Sequence, residues 1–588
     1  MTKREWWTGV LFSCLVAANA TYAAERVKAN NTDNLNLTNS WVGGWVPGSG
    51  DLAVWNSTVT GANSVQLGAN RSLRGLKVTN PGGAVNIGGT HDLTLGGEGL
   101  LMGSATADLT LSCGSLTLLA YAGQIWDVAS GRSATVSPGT FVRSAGSTIG
   151  FVGSGTVTSS VLTNDATGIV GTWARFGVGT AASYATVSGG SVAAYTAGTA
   201  APTAASVTDN TGTVNYDVAA SGTLGAGASF NTLRYTGAGG TISGAFSANG
   251  LLNAGSGTAT FSGAATIGES KELVLTSPDS TRKIAISGVI SDNPGGASGV
   301  TLAGGGQVDL YADNTYSGET VISAGRIYMN KPNALGSTNG GTVIHVIGSS
   351  VTGGILHVSG NITVAEPLTF VGPGDGAPWN QALYSNGGTN TLTGPITIAS
   401  PGGVRLTAGG AGTALNINGP ITRTTYGSTL ILGGGGVGGA INVNCPISNN
   451  FGSVNLHSGP GTITFNVVNN AIGDMNVQYQ HVLKLGVSGP LNSGSSLQVG
   501  GSNTQTGTAP QGMFDLAGFS QAVNGFYGDG VFASAPPTTR VVTNSAEGLS
   551  TFTIGYAGGG GTFNGHIDGN IALVKNGSGT ETLCGRSE

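Results

Sequence analysis

The sequence predicts an all-β chain built as a solenoid, a column of short parallel strands laid coil upon coil. Three observations carry that expectation. A six-residue pattern (apolar, small polar, Gly, any residue, apolar, small polar) returns along the second half of the chain. Glycine makes up 105 of the 588 residues, while charged residues are only 8%. Apolar residues come in brief alternating runs bounded by glycine, the period-2 mark of strands.

The pattern is clearest in Leu392-Thr393-Gly394-Pro395-Ile396-Thr397, Ile417-Asn418-Gly419-Pro420-Ile421-Thr422 and Val443-Asn444-Cys445-Pro446-Ile447-Ser448. Ile396, Ile421 and Ile447 follow at steps of 25 and 26 residues. Looser copies begin at Ile242, Phe261, Ile286, Val358 and Phe563. A period of this length marks a stacked-repeat architecture. Coils of about 25 residues and ~4.8 Å spacing would make roughly twenty coils and a column about 100 Å long.

The amino terminus reads as an address. Lys3 and Arg4 precede the apolar stretch Val10–Ala18, followed by the small-residue sites Ala18-Asn19-Ala20 and Thr21-Tyr22-Ala23. Residues 1–23 therefore form a secretory signal peptide, with a buried helix as the alternative reading, and the stretch is too short to span a bilayer. No later segment is long and apolar enough for a transmembrane helix.

Residues 24–72 are expected to form an N-terminal cap rich in aromatics. Trp41, Trp45 and Trp55 cluster around Pro47 and Asp51. An uncapped first coil would expose a row of unpaired strand groups. A carbohydrate-stacking platform is the functional alternative for these tryptophans.

The body runs from 73 to 588. Runs such as Leu93-Thr94-Leu95, Leu109-Thr110-Leu111 and Leu116-Thr117-Leu118 are too brief for an independent sheet, and gain stability only by pairing with the coils above and below. Residues 150–240, rich in Ala, Gly, Ser and Thr, read as loosely packed coils, or alternatively as a disordered linker. Asn416 and Asn418 recur 26 residues later as Asn442 and Asn444. Their amides could bond along the column axis as an asparagine ladder, or they could be ordinary turn residues.

Composition excludes several function classes. Lys and Arg total 22 without a basic run, and the net charge is −5, so no nucleic-acid partner is expected. Three cysteines follow the leader, Cys113, Cys445 and Cys584, too few and too far apart for a disulfide framework.

Catalytic and binding motifs fail on context. Gly433, Gly435 and Gly438 satisfy G-x-G-x-x-G, but a strand-like segment follows where a dinucleotide site needs a helix. Gly304–Asp309 approaches a calcium nonapeptide, yet Gln307 replaces a glycine and no tandem copy follows, so Asp309 and Asp313 read as turn residues. His91, His345, His357, His457, His481 and His566 have no zinc-like spacing, although His345 and His357 could face one another on adjacent coils. Asp292, Asp313 and Glu319 with Arg326 form the nearest acid–base cluster. A polysaccharide lyase or glycoside hydrolase would require paired carboxylates on one face. No catalytic, cofactor-binding or metal residue is assigned.

One segment resembles a known family. Asn314-Thr315-Tyr316-Ser317-Gly318, Thr320, Ala324-Gly325 and Ala334-Leu335-Gly336, within residues 299–338, resemble the autotransporter-associated β-strand repeat, also called the passenger-associated transport repeat. Glu319, Arg326 and Ala312-Asp313 depart from its usual residues. Asn570–Thr580 looks like the lead-in to a further copy, interrupted at Glu581 and Cys584 within 571–588. The resemblance implies a single-stranded right-handed parallel β-helix, exported as a passenger across a two-membrane bacterial envelope. It further implies a cell-surface or extracellular, non-catalytic adhesive scaffold, with glycans, matrix or other cell surfaces as partners and an outer-membrane translocation machinery as its route. The absence of barrel-like strands suggests a chain truncated before a translocator or anchor, with export by another protein or release to the periplasm or medium as the alternatives. A surface-layer or biofilm matrix component is a further alternative.

Overall fold

Strand follows strand along this chain, joined by glycine-rich corners and four short 3-10 turns, with no α-helix among the described residues. The computed structural model describes residues 24–347, 353–374, 381–425, 428–434, 438–448, 451–457, 459–468, 472–500, 511–528 and 540–584. The expected signal peptide, residues 1–23, lies outside them. Nearly every strand pairs in parallel with its equivalent one coil on, giving a β-solenoid of about 21 turns.

The six-residue pattern is the unit of stacking. Its second apolar residues pile up in register, Ile396 on Ile421 and Ile421 on Ile447. The first apolar residues do the same, Leu392 on Ile417 on Val443, continuing through Phe465 and Leu485. In the looser copies Ile242, Phe261 and Ile286 form one column, and Phe246, Ala265 and Ile290 another. All of these side chains are buried, so each coil is held by apolar contact with its neighbours as well as by backbone hydrogen bonds.

Close approach explains the pattern's glycine. A Cβ on Gly419 would lie 1.8 Å from the carbonyl oxygen of Gly394, and one on Gly288 would lie 1.8 Å from that of Gly263. At this corner the backbones of successive coils touch at Gly419 and Gly288, where a side chain would collide, while the copy at 443–448 holds a buried Cys445 in the same position.

Coil length departs from a uniform 25. Steps of 23 to 26 residues hold from Trp55 to Phe176. They fall to 17 between Tyr216 and Leu233 and 18 between Leu233 and Leu251, then rise to 28 between Phe370 and Ile398. A third sheet of nine strands starts at Thr363–Val364, so later coils are three-sided.

Among the described residues the stack is interrupted once, inside the Ala/Gly/Ser/Thr-rich stretch. Residues 24–194 form one stack and residues 199–584 a second. Ser183–Ser188 and Ser191–Ala194 make an antiparallel hairpin across Gly189 and Gly190, both at positive φ (57° and 80°). A two-residue turn with both centres left-handed suits glycine and matches strand twist. The hairpin lies antiparallel against Ala174–Phe176 and Thr156–Ser159, closing the first stack. Ala201, Val218, Phe230, Leu233 and Tyr235 are buried in the short coils that follow.

The two stacks then lie side by side in opposite directions, since contact partners fall in number as the first stack rises. Gly97 meets His345, Gly123 N–H bonds Ser323 O (3.1 Å), Arg143 pairs with Glu272, and Tyr184 packs with Leu252 and Ala254. A seam built from Gly97, Gly123 and Gly146 lets two sheet faces meet closely.

At the amino end Trp41 meets Trp55 edge-on at 5.9 Å, and both are buried. Trp45 is 67% exposed, with Arg26 over its ring. No helix among the described residues is long and apolar enough to cross a membrane.

Candidate functional site

The described residues offer two kinds of surface, repeated outer faces and a cavity in the seam. On the outer faces the asparagines form ladders. Asn442 Nδ2 donates to Asn416 Oδ1 (2.8 Å), Asn444 to Asn418 (2.8 Å) and Asn466 to Asn444 (2.6 Å). A second ladder, which sequence reasoning missed, runs through buried Asn249, Asn231 and Asn215 at 2.9 Å per step and reaches Thr167 of the first stack. Its spacing of 16 and 18 residues follows the short coils, so a search at 25 passes over it.

Another outer row is aromatic. Tyr328 stacks on His357 with centroids 4.0 Å apart, and His357 leans on Tyr384 at 5.2 Å. These three residues share one register position on successive coils.

The cavity, of about 490 Å³, opens where the stacks meet. Gly123–Ile125, Thr148–Gly150 and Arg175 line one side, and Thr276, Asp279, Ala303–Gly305 and Arg326 the other. Arg175 is 5% exposed, its guanidinium laid against the backbone of Gly150. Burial pulls its pKa down to about 10, so it stays protonated at neutral pH.

The residues weighed from sequence mostly hold the fold. Asp309 takes an ion pair from Lys283 and hydrogen bonds from Gln307 and Tyr311. Asp313 accepts the Asn333 N–H (2.9 Å). Asp292 ties Ser298 and Ser317 to a corner, and burial raises the Glu319 pKa. Gly433 lies within the strand Thr429–Gly434, and the next described strand is Gly439–Val443, as the failed dinucleotide motif anticipates; Gly435 lies outside the described residues.

His345 and His357 do not face one another. His345 is fully buried against Gly97 in the seam, while His357 belongs to the tyrosine row on a different sheet. Alternation along a strand was visible in sequence, but which sheet each strand joins was not. Burial lowers both to about 4, and also His457 and His481. His481 accepts the Gly434 N–H at Nε2 (3.0 Å) and faces Gln478 O through Nδ1, a structural role.

The motif around Asn314 is structural too. Asn314 Oδ1 accepts the Ile290 N–H and Nδ2 donates to Ala334 O, stitching three consecutive coils. Tyr316 and Leu335 are buried beneath it.

A curated protein shares part of this design. Over 163 residues the chain is 30% identical to the Adhesin BmaC autotransporter of Brucella suis biovar 1 (strain 1330). The match covers 26% of this chain and 4% of that relative's length. No protein-family model matches, and no solved structure matches. The likeness and the solenoid agree with the autotransporter adhesins as a general class, while the repeat family read from residues 299–338 has no matching model.

Proposed function

We propose that this chain is an exported, non-catalytic, passenger-type scaffold whose long outer faces make adhesive contact with glycans, matrix or other cells. The observation that carries the reading is the register-locked stacking itself. It repeats a polar row over neighbouring coils, as in the Asn416–Asn442 and Asn418–Asn444–Asn466 ladders. Many weak contacts spaced along a rigid surface add to a strong one. The partial likeness to an autotransporter adhesin supports the same reading and an exported address.

The candidate acids support it as well. Asp292, Asp309 and Asp313 are each engaged in holding corners or ion pairs, which leaves them poorly placed for acid–base chemistry.

The test presents the purified chain at high density on beads to polysaccharides, matrix proteins and animal cells, beside the same chain as free monomer. Density-dependent binding without release of reducing ends from polygalacturonate or alginate is expected. Turnover of either polymer would overturn the non-catalytic reading, and equal lack of binding on beads and in solution would overturn the adhesive one. Cell fractionation in a two-membrane bacterium tests the exported address.

A further inference from the structure

We propose that the seam cavity is a binding site for a sugar acid, a small hydroxyl-rich ligand bearing one carboxylate, held by Arg175 and Arg326. This site lies between the stacks, not on the repeated outer faces, so it stands apart from the adhesive reading.

Arg175 is almost wholly enclosed, yet its one hydrogen bond runs from Nη1 to the carbonyl of Gly177, and it forms no ion pair. Elsewhere in the seam, Arg143 meets Glu272 through two parallel bonds of 2.8 Å, and Arg234 meets Asp217 in the same bidentate way. Buried guanidinium groups are ordinarily paired because an isolated charge in a low-dielectric interior is costly. Arg175 has no such carboxylate partner among the described residues, and it borders the cavity.

The nearest acid does not neutralise it. Asp279 acts on Arg175 only at longer range, and its Oδ1 is taken by the Thr281 N–H and hydroxyl. Arg282 also bears on Asp279. Arg326 adds a second positive group to the wall, and no ion pair holds it among the described residues. The cavity thus has two arginines against one engaged carboxylate.

Guanidinium forks match carboxylates bidentately, which sets the charged end of the ligand. The remaining lining sets the rest. Ile125, Ile355 and Ala324 offer apolar surface, while Thr276 and Ser280 offer hydroxyls. An apolar wall with a few polar groups, at about 490 Å³, falls in the size range of small-molecule sites. A pyranose acid presents the matching combination of C–H face, hydroxyls and one anion.

The experiment is calorimetric titration of the full chain with sodium glucuronate, with glucose and inorganic phosphate as comparison arms. Saturable glucuronate binding is expected, at least tenfold tighter than glucose and tighter than phosphate. Arg326→Gln, at the half-buried wall position, should weaken glucuronate at least tenfold, and Arg175→Lys should do so while keeping the charge. Should Arg175→Lys fail to fold, the Arg326→Gln titration and a glucuronate-induced rise in the wild-type melting temperature decide the matter. Absence of saturable glucuronate binding, equal affinity for glucose, or phosphate bound in its place would overturn the proposal. Unchanged affinity in Arg326→Gln would overturn it as well.

Discussion

Replacing Gly123 with valine should force the two stacks apart. A Cβ at this position would sit 2.8 Å from the Ala324 Cβ and 2.9 Å from the Ser323 carbonyl oxygen. Carbon pairs prefer about 3.5–4.0 Å, so the new atom intrudes by roughly 0.7 Å or more before the two methyl groups are counted. Both walls are paired sheets, which yield little. Overpacking of a tight interface costs about 1–3 kcal/mol. The Gly123 N–H to Ser323 O bond (3.1 Å) lost with the displacement adds about 1 kcal/mol. Together these weaken the seam by roughly 2–4 kcal/mol, about 30-fold or more in the ratio of closed to open forms.

A disulfide trap reads that ratio directly. The Thr148 and Ser323 hydroxyl oxygens are 2.9 Å apart across the seam, although 175 residues separate them in sequence. Cysteines at these two positions, in a Cys584→Ser background that removes the exposed thiol, should oxidise to a cross-link in an otherwise native chain. Adding Gly123→Val should slow cross-linking by an order of magnitude. Gly61→Val, where nothing lies within 4 Å of the added Cβ, should leave it unchanged. Cross-linking of Gly123→Val at the Gly61→Val rate, with the same urea midpoint, would refute the seam.

Three further outcomes follow from buried groups. His345 carries a folded-state pKa near 4 against an ordinary 6.5, so between those values the unfolded chain binds more protons and stability is lost as pH falls through that window. Its share is about 3 kcal/mol. His345→Met should therefore melt less steeply with acid than the parent, and equal acid sensitivity would contradict the assignment. Glu366 has the opposite sign. Burial raises it to about 7 against an ordinary 4.5, so stability is lost as pH rises through that window, and Glu366→Gln should raise the melting temperature more at pH 8 than at pH 5. Ile421→Ala, between Ile396 and Ile447, should cost about 2–5 kcal/mol and raise hydrogen exchange in neighbouring coils of the second stack, while coils near Trp126 stay protected.

The architecture was legible because its cause is local and periodic. The hexapeptide carries the two buried positions and the corner glycine of a coil, and each repeats at the step the stacked strands require. The asparagine pairs at 26 residues were legible for the same reason, and their hydrogen bonds follow. Residues 150–240 were harder to read. Gly189-Gly190 is a hairpin turn between Ser188 and Ser191, but in a chain with 105 glycines the pair carries no distinguishing signal. The coils of 17 and 18 residues that follow also fall outside the period that located the others.

Sequence by itself determined the coil: strand length, the buried columns, the corner glycines and the scarcity of charge all arise within one or two repeats. Only the tertiary structure decided that the column breaks near residue 195 and doubles back. The seam joins residues far apart in the chain, such as Arg143 with Glu272 and Gly97 with His345. No local periodicity encodes such pairs, because their partners are chosen by how two finished surfaces fit. The Arg175 cavity belongs to that second level, since it exists only where the two surfaces leave a gap.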